Sequence, residues 1–260
     1  RAALIENLLG GAGARADTMI PPSSWAFDAK SSPEVAYDRS AAVEGLKAAG
    51  WQRVNRAWIA PGQKKPLELT LLAPEGSANP VAHEAAQRVA RSWTSLGLAT
   101  TVEALPPAEY VAKLRAGDFS AAIIDVNMGL DPDPYPILAS TQIRAGGSNV
   151  AGYQNAALDK ALLAARAPGS MSARRKAYRS LQKLLDTLQP MPTLFFRDSV
   201  LVAGPDLVGP AARPVAACTG TASAARMRSS NERRRRRCSA QPAQASAWAR
   251  TSSARCRGSA

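Results

Sequence analysis

The chain has 260 residues, 46% of them hydrophobic and 20% charged, an ordinary globular balance that allows one or two domains. No apolar run is long enough to span a bilayer, and no positively charged segment leads into an apolar one. The net charge of +13 is uneven: Cys218 to Ala260 holds ten arginines against the single acid Glu232, a tail of +9, while residues 1–217 carry only +4.

Gly10-Gly11-Ala12-Gly13 reads as a helix end and turn. Leu67 to Leu72 begins with strand-like alternation, and Pro74 to Pro80 breaks it. From Val81 to Leu96 the residues Val81, Ala85, Val89, Trp93 and Leu96 recur on one face of a helix that Gly97 closes. Ala99 to Leu105 is a β-branched strand. Pro106-Pro107 opens a second helix, since Pro fits the first turn; its Val111 and Leu114 are expected to face inward, with Gly117 at the end. Phe119 to Val126 reads as a buried strand.

Strand, helix, strand, helix, strand within sixty residues predicts βαβ units and parallel strands near 67–72, 99–105 and 119–126. Ligands of such sheets sit beyond the carboxyl ends of the strands, which points to the loop from Asn127 to Pro136.

Asn155 is placed to cap a helix that runs to about Arg166, with Leu158 and Leu162 buried. Ser170 or Ser172 caps the next, whose apolar stripe is Tyr178, Leu181, Leu184, Leu185 and Leu188. Arg174, Arg175, Arg179 and Lys183 lie mostly opposite. Gln189-Pro190 ends it, because Pro pushes its predecessor out of the α region. Thr193 to Phe196 and Ser199 to Ala203 read as two strands around an Arg-Asp turn.

After about Ala211 periodicity stops. The Ala, Ser, Thr and Arg of the tail bury too little to offset the entropy of ordering, so disorder is expected; the composition also looks like a GC-rich gene read out of frame. All three cysteines, Cys218, Cys238 and Cys256, lie there without a nearby histidine, a poor basis for a zinc site. Arg233 to Arg237 is a solvated run without interleaved aromatics rather than a nucleic-acid reader.

His83 is the only histidine, and no Gly-x-Ser-x-Gly elbow, Walker loop or Gly-x-Gly-x-x-Gly occurs. No catalytic residue, cofactor or metal site is therefore assigned. Asp131 and Asp133 belong first to the turn chemistry of Asp-Pro-Asp-Pro, with direct ligand contact as the second reading. Asn149, Tyr153 and Asn155 combine amide donors and acceptors with a ring and a hydroxyl, which suits a polar ligand; a turn followed by a helix cap is the structural alternative.

Five blocks carry a family resemblance. They are LIENLLGGAGARADTMIPPSSW; Tyr37-Asp38 followed by AAVEGLKAAGW; DPDPYPIL; Asn149-x-x-Gly-Tyr-x-Asn155; and the helix ARRKAYRSLQKLLDTLQPMPTL. In that order, over about residues 1–210, the chain resembles the C-terminal lobe of family-5 solute-binding proteins, the peptide, nickel and sugar receptors of ABC importers. The resemblance implies an α/β fold, a periplasmic-binding-protein type II-like lobe with a mixed, partly parallel sheet flanked by helices. Residues 211–260 would follow as the disordered tail.

It further implies a protein that performs no chemistry. A small polar ligand (peptide, metal chelate or oligosaccharide) would be held against Asn149, Tyr153, Asp131, Asp133, Trp25 and Asn155. The other partners would be ABC permease subunits, and no nucleic acid. The location would be extracytoplasmic, in the periplasm or at the cell surface. The protein would be a monomer and a lipoprotein, whose membrane anchor and N-terminal lobe would lie before Arg1, making this chain a fragment. Peptide-binding members anchor the ligand amine on the Asp of a Trp-x-x-Asp pattern, and those places fall here on Asp125 and Met128. Two rival readings are an α/β hydrolase or transferase fragment, and a nucleic-acid-binding protein acting through its basic tail.

Overall fold

The structure is a computed structural model that describes residues 1–129, 131–143 and 146–198, and the backbone of Leu207–Val208 and Arg228–Ser229. Its order is α1 (Ala2–Leu9), β1 (Gly13–Arg15), α2 (Arg39–Ala48), β2 (Gln52–Val54), β3 (Ala57–Ile59), β4 (Glu68–Pro74), α3 (Pro80–Leu96), β5 (Ala99–Leu105), α4 (Pro107–Ala116) and β6 (Ala121–Ala122). There follow α5 (Tyr135–Leu138), α6 (Ala156–Arg166), α7 (Met171–Leu188) and β7 (Phe195–Arg197). In a second unit, Leu207–Val208 (β8) pairs antiparallel with Arg228–Ser229 (β9). The expected strand at 199–203, the boundary at residue 210 and the disorder of the tail lie outside the described residues.

The three expected parallel strands form one sheet in the order β5-β4-β6. β4 is central, pairing with β5 from Glu68↔Ala99 to Pro74↔Leu105 and with β6 at Leu71↔Ala121 and Leu72↔Ala122. β6 is shorter than the apolar run that announced it. The Ile123 N–H still donates to the Leu72 carbonyl, but the Ile123 carbonyl is taken by the Tyr110 hydroxyl at 2.6 Å, which ends the ladder. Among the described residues of the first unit, antiparallel pairing is confined to separate two-stranded sheets, β1 with β7 and β2 with β3.

Both crossover helices start and stop as the sequence indicates. Asn79 caps α3 by accepting from Ala82 N–H, and Gly97 ends it in the left-handed region at φ 108°. No other residue fits there, because a Cβ would collide with the Arg56 carbonyl. The stripe that α3 lays on the sheet is rotated from the expected one: Ala82, Ala85, Ala86 and Ala90 are buried, while Val89 and Trp93 pack at the margin. The small alanines allow close approach to Leu71 and Ala73 of β4. On α4, Val111 does not face inward; it is 40% exposed, while Leu114 is buried. Tyr110, one turn before Leu114, takes the inner face instead, and Val111 is turned to solvent.

A second core lies between α6, α7 and the segment that follows β1. Leu158, Leu162 and Ala165 of α6 meet Tyr178, Leu181 and Leu185 of α7, together with Met19, Ile20, Ala26 and Leu138. Asn155 and Ser170 cap these helices, accepting from Leu158 and Ala173 N–H respectively. Gln189, the residue before Pro190, leaves the helix at φ 43°. Gln182, polar yet fully buried, interrupts the α7 stripe.

Candidate ligand-binding site

The Asp-Pro-Asp-Pro loop is built largely from its own hydrogen bonds. The Asp133 N–H donates to the Asp131 carbonyl at 2.9 Å, and Asp133 Oδ1 accepts from Tyr135 N–H at 3.1 Å, an Asx turn that starts α5. Each aspartate then meets an arginine from a distant helix. Arg174 Nη2 donates to both oxygens of Asp131 at 2.7 Å, and Arg166 Nε lies 3.1 Å from Asp133 Oδ2. Both guanidiniums also stack on rings, Arg174 over Trp25 at 4.7 Å and Arg166 over Tyr135 at 4.4 Å.

Trp25 meets the buried Tyr178 edge to face, with centroids 5.2 Å apart. Burial, reinforced by the charges of Asp131 and Asp133, pushes the Tyr178 phenol up to about 12, so it stays neutral and donor-competent. Asp131, Arg174, Trp25 and Tyr178 thus form one continuous group, assembled from three stretches of sequence. Arg174 is not on a solvated face: its side chain is 22% exposed.

Asn149 is buried. Its Nδ2 donates to the carbonyls of Leu138, Ala139 and Tyr153 at 3.0–3.2 Å, and its Oδ1 has no partner among the described residues. The same side chain therefore ties the end of α5 to Tyr153. The loop closes tightly here, since a Cβ on Gly147 would collide with the Gln142 carbonyl, which accepts from Asn149 N–H. Tyr153 packs its ring on the α6–α7 core. Asn155 spends its side-chain oxygen on the α6 cap. The six residues singled out from the sequence thus fall into an Asp131–Trp25 group, an Asn149–Tyr153 group, and two turn or cap positions, Asp133 and Asn155.

Two groupings, apart from Asp125 itself, had no sequence signal. The first is Gln182, whose Nε2 donates to the Ala26 and Tyr178 carbonyls at 2.9 and 3.2 Å and whose Oε1 accepts from Asp28 N–H. It fixes the Trp25 segment on α7 and leaves an open groove of about 310 Å³ lined by Ser24, Trp25, Ala26, Phe27, Asp28, Arg175 and Arg179. The second lies beyond the carboxyl ends of β4 and β6. There Asp125 Oδ2 accepts from Asn79 Nδ2 at 2.7 Å and from Arg197 Nη2 at 2.9 Å. His83, one turn along α3, places Nδ1 3.2 Å from the Pro74 carbonyl at the end of β4. Among the described residues no three His, Cys, Asp or Glu side chains gather as metal ligands, and no helix is long and apolar enough to cross a membrane.

Residues 1–149, more than half of the chain, match the model of bacterial extracellular solute-binding proteins, family 5 middle region. The chain belongs to that family. It is 24% identical over 212 residues to the oligopeptide-binding protein AppA of Bacillus subtilis (strain 168), covering 80% of this chain and 38% of AppA. To di/tripeptide-binding protein 3 of Pseudomonas aeruginosa (strain UCBPP-PA14) it is 25% identical over 190 residues, 73% of this chain and 34% of the relative. The family-5 chain described here thus spans about a third of the length of the relatives it matches.

The solved structures agree on the fold. AppA in complex with a nonapeptide superposes with a TM-score of 0.68 at 22% identity, covering 83% of this chain and 43% of that one. NikZ from Campylobacter jejuni in complex with Ni(L-His) gives 0.66 at 21% identity, over 75% and 39%. A mannohexaose-bound binding protein from Thermotoga maritima gives 0.65 at 15% identity, over 75% and 39%. The fold that the family-5 resemblance implies is the fold observed.

Proposed function

We propose that this chain is one lobe of the substrate-binding component of an ABC import system, which captures a peptide or other small polar solute between two lobes and delivers it to permease subunits. The observation that carries the reading is the gathering of paired charges and aromatic rings on the loop that follows the parallel strands, in a chain of this family. Capture would follow from closure of two lobes over the ligand, with this lobe supplying one wall. The protein would work outside the cytoplasm, as a monomer, held at the membrane through an anchor outside these residues.

Within this reading Asp131, Tyr153 and Trp25 are the contact residues. Asp131 keeps 58% of its side chain exposed although Arg174 holds it. Asn149, Asp133 and Asn155 act one step back, by fixing the backbone on which the contacts sit. No catalytic role is assigned. His83, the only histidine, is engaged at the end of β4.

The test is an amide NMR titration of the chain with trialanine, nickel–histidine and mannohexaose in turn. Binding of any one, with shifts in residues 131–136 and 149–155, is the expected result. No response to all three, or turnover of a probe that His83→Ala abolishes, would remove the reading.

A further inference from the structure

Residues 51–66 hold Arg53, Arg56, Lys64 and Lys65 and no acid. Glu44 and Glu68 are the nearest acids along the chain, and Glu44 is already paired with Lys47 at 2.9 Å. Among the described residues Arg53, Arg56, Lys64 and Lys65 form no ion pair.

These charges stand on a fixed hairpin. β2 and β3 pair from Gln52↔Ile59 to Val54↔Ala57, and Asn55 and Arg56 turn the chain at φ 49° and 68°. Two successive left-handed residues make the hairpin turn that ordinarily takes Asn-Gly, so Arg56 stands where glycine fits with less strain. The tip is pinned to the end of α3. Trp58 donates its N–H to the Gly97 carbonyl at 3.1 Å and its Nε1–H to the Leu96 carbonyl at 2.9 Å. Arg39 takes the neighbouring Ser95 carbonyl. The end of α3 therefore has its donors, and Arg53 and Arg56 are not needed as its cap. The Leu67 N–H donates to the Trp58 carbonyl at 3.0 Å, which brings the loop of Lys64 and Lys65 back beside the hairpin.

Gln52 to Arg56 and Pro61 to Pro66 are exposed throughout. Val54, between the two arginines, is 46% exposed. An apolar side chain flanked by cations, at the tip of a fixed turn, suits a surface that is anionic outside and apolar just beneath.

We propose that the β2–β3 hairpin, with Lys64 and Lys65 beside it, docks on the headgroups of an anionic phospholipid membrane. Its location rests on the proposed function, since a protein held at a membrane by an anchor meets such a surface. A basic patch adds to a lipid anchor the second contact that turns reversible binding into stable binding. Arg53 and Arg56 donate to phosphate oxygens, the lysines add charge beside them, and Val54 enters the apolar boundary.

The experiment is hydrogen exchange of the whole chain with vesicles of equal parts phosphatidylglycerol and phosphatidylcholine, beside cosedimentation to measure partition. Amides of residues 52–66 should gain protection with these vesicles and not with pure phosphatidylcholine. Arg53→Gln and Arg56→Gly should each lower partition about fivefold. Arg56→Gly should at the same time raise the melting temperature, because glycine takes φ 68° without a Cβ penalty. Loss of binding together with a gain in stability excludes misfolding as its cause.

Equal binding to neutral vesicles overturns the proposal. So does protection confined to residues 218–260, which places the contact in the basic tail. Unchanged partition in both variants, with the melting temperature moved, overturns it too, since the hairpin is then a structural turn alone. Protection of residues 52–66 by soluble polyglutamate but not by vesicles assigns the tip to an acidic polypeptide and overturns the lipid surface. No response to either vesicle removes this surface and leaves the proposed function standing, because trialanine, nickel–histidine and mannohexaose test that function separately at residues 131–136 and 149–155.

Discussion

Gln182 Nε2 donates to the carbonyl of Ala26 at 2.9 Å, joining two residues 156 positions apart in the chain. This bond, with those to Tyr178 and Asp28, fastens the Trp25 segment to α7 and so sets one side of the loop that carries Asp131. Substituting Gln182 by Leu strands two carbonyls and an N–H in a dry place. A loss of about 2–4 kcal/mol of unfolding free energy is expected, measured by urea denaturation, with the Trp25 fluorescence shifted. A loss within about 0.5 kcal/mol would show that the segment is held by its apolar contacts alone.

The two cores make a graded contrast. Leu181→Ala removes a fully buried side chain between α6 and α7 and should cost about 2–5 kcal/mol. Val111→Ala, on the exposed side of α4, should change stability by about 0.5 kcal/mol or less. Equal effects of the two substitutions would contradict the orientation found for α4.

Asn149 is expected to act on order rather than on contact alone. Asn149→Ala frees the carbonyls of Leu138, Ala139 and Tyr153, and about 1–3 kcal/mol of stability should go with them. Amide hydrogen exchange should rise over residues 146–155. Tyr153→Phe keeps the ring packing and should leave stability unchanged, so any weakening of ligand binding in that variant reports on the hydroxyl.

Acid should loosen the attachment of the first strand. Burial alone would raise the Asp17 carboxyl. The hydrogen bonds from Arg15 and the Val35 N–H, with the charges of Arg1 and Arg15, outweigh burial and hold it below the usual carboxylate range. A carboxyl depressed in the folded state stabilises fully above its unfolded pKa, near 3.8, and the contribution is lost as pH falls through the folded value. Asp17→Asn should therefore lower stability at neutral pH, by about 1–2 kcal/mol, and wild type and variant should converge once the pH has fallen through the folded Asp17 value. A difference that persists in strong acid would assign the effect to packing.

What the sequence determined by itself was the order of elements and the places where they start and stop. Those features depend on neighbouring residues: Asn79, Asn155 and Ser170 cap the helix that follows each of them, Gly97 and Gly117 supply positive φ, and the 3.6- and 2-residue periods name helix and strand. The βαβ order then fixed parallel pairing, because a helical crossover returns the chain in the same direction.

The tertiary structure decided which face of each element is inside and which polar groups meet. Val111 and Leu114 are equally apolar in sequence, and only the half-buried Tyr110 on the inner face of α4 turns Val111 out. Arg174 reads as a solvated charge until Trp25 and Asp131 arrive from two other stretches. Gln182 and the Asn79–Asp125–Arg197 group rest on contacts between residues 46 to 156 positions apart. No local pattern encodes such pairs. Their partners are chosen when the sheet and the α6–α7 core close, since a buried or half-buried polar group must then find a complement among whatever the fold brings within about 3 Å.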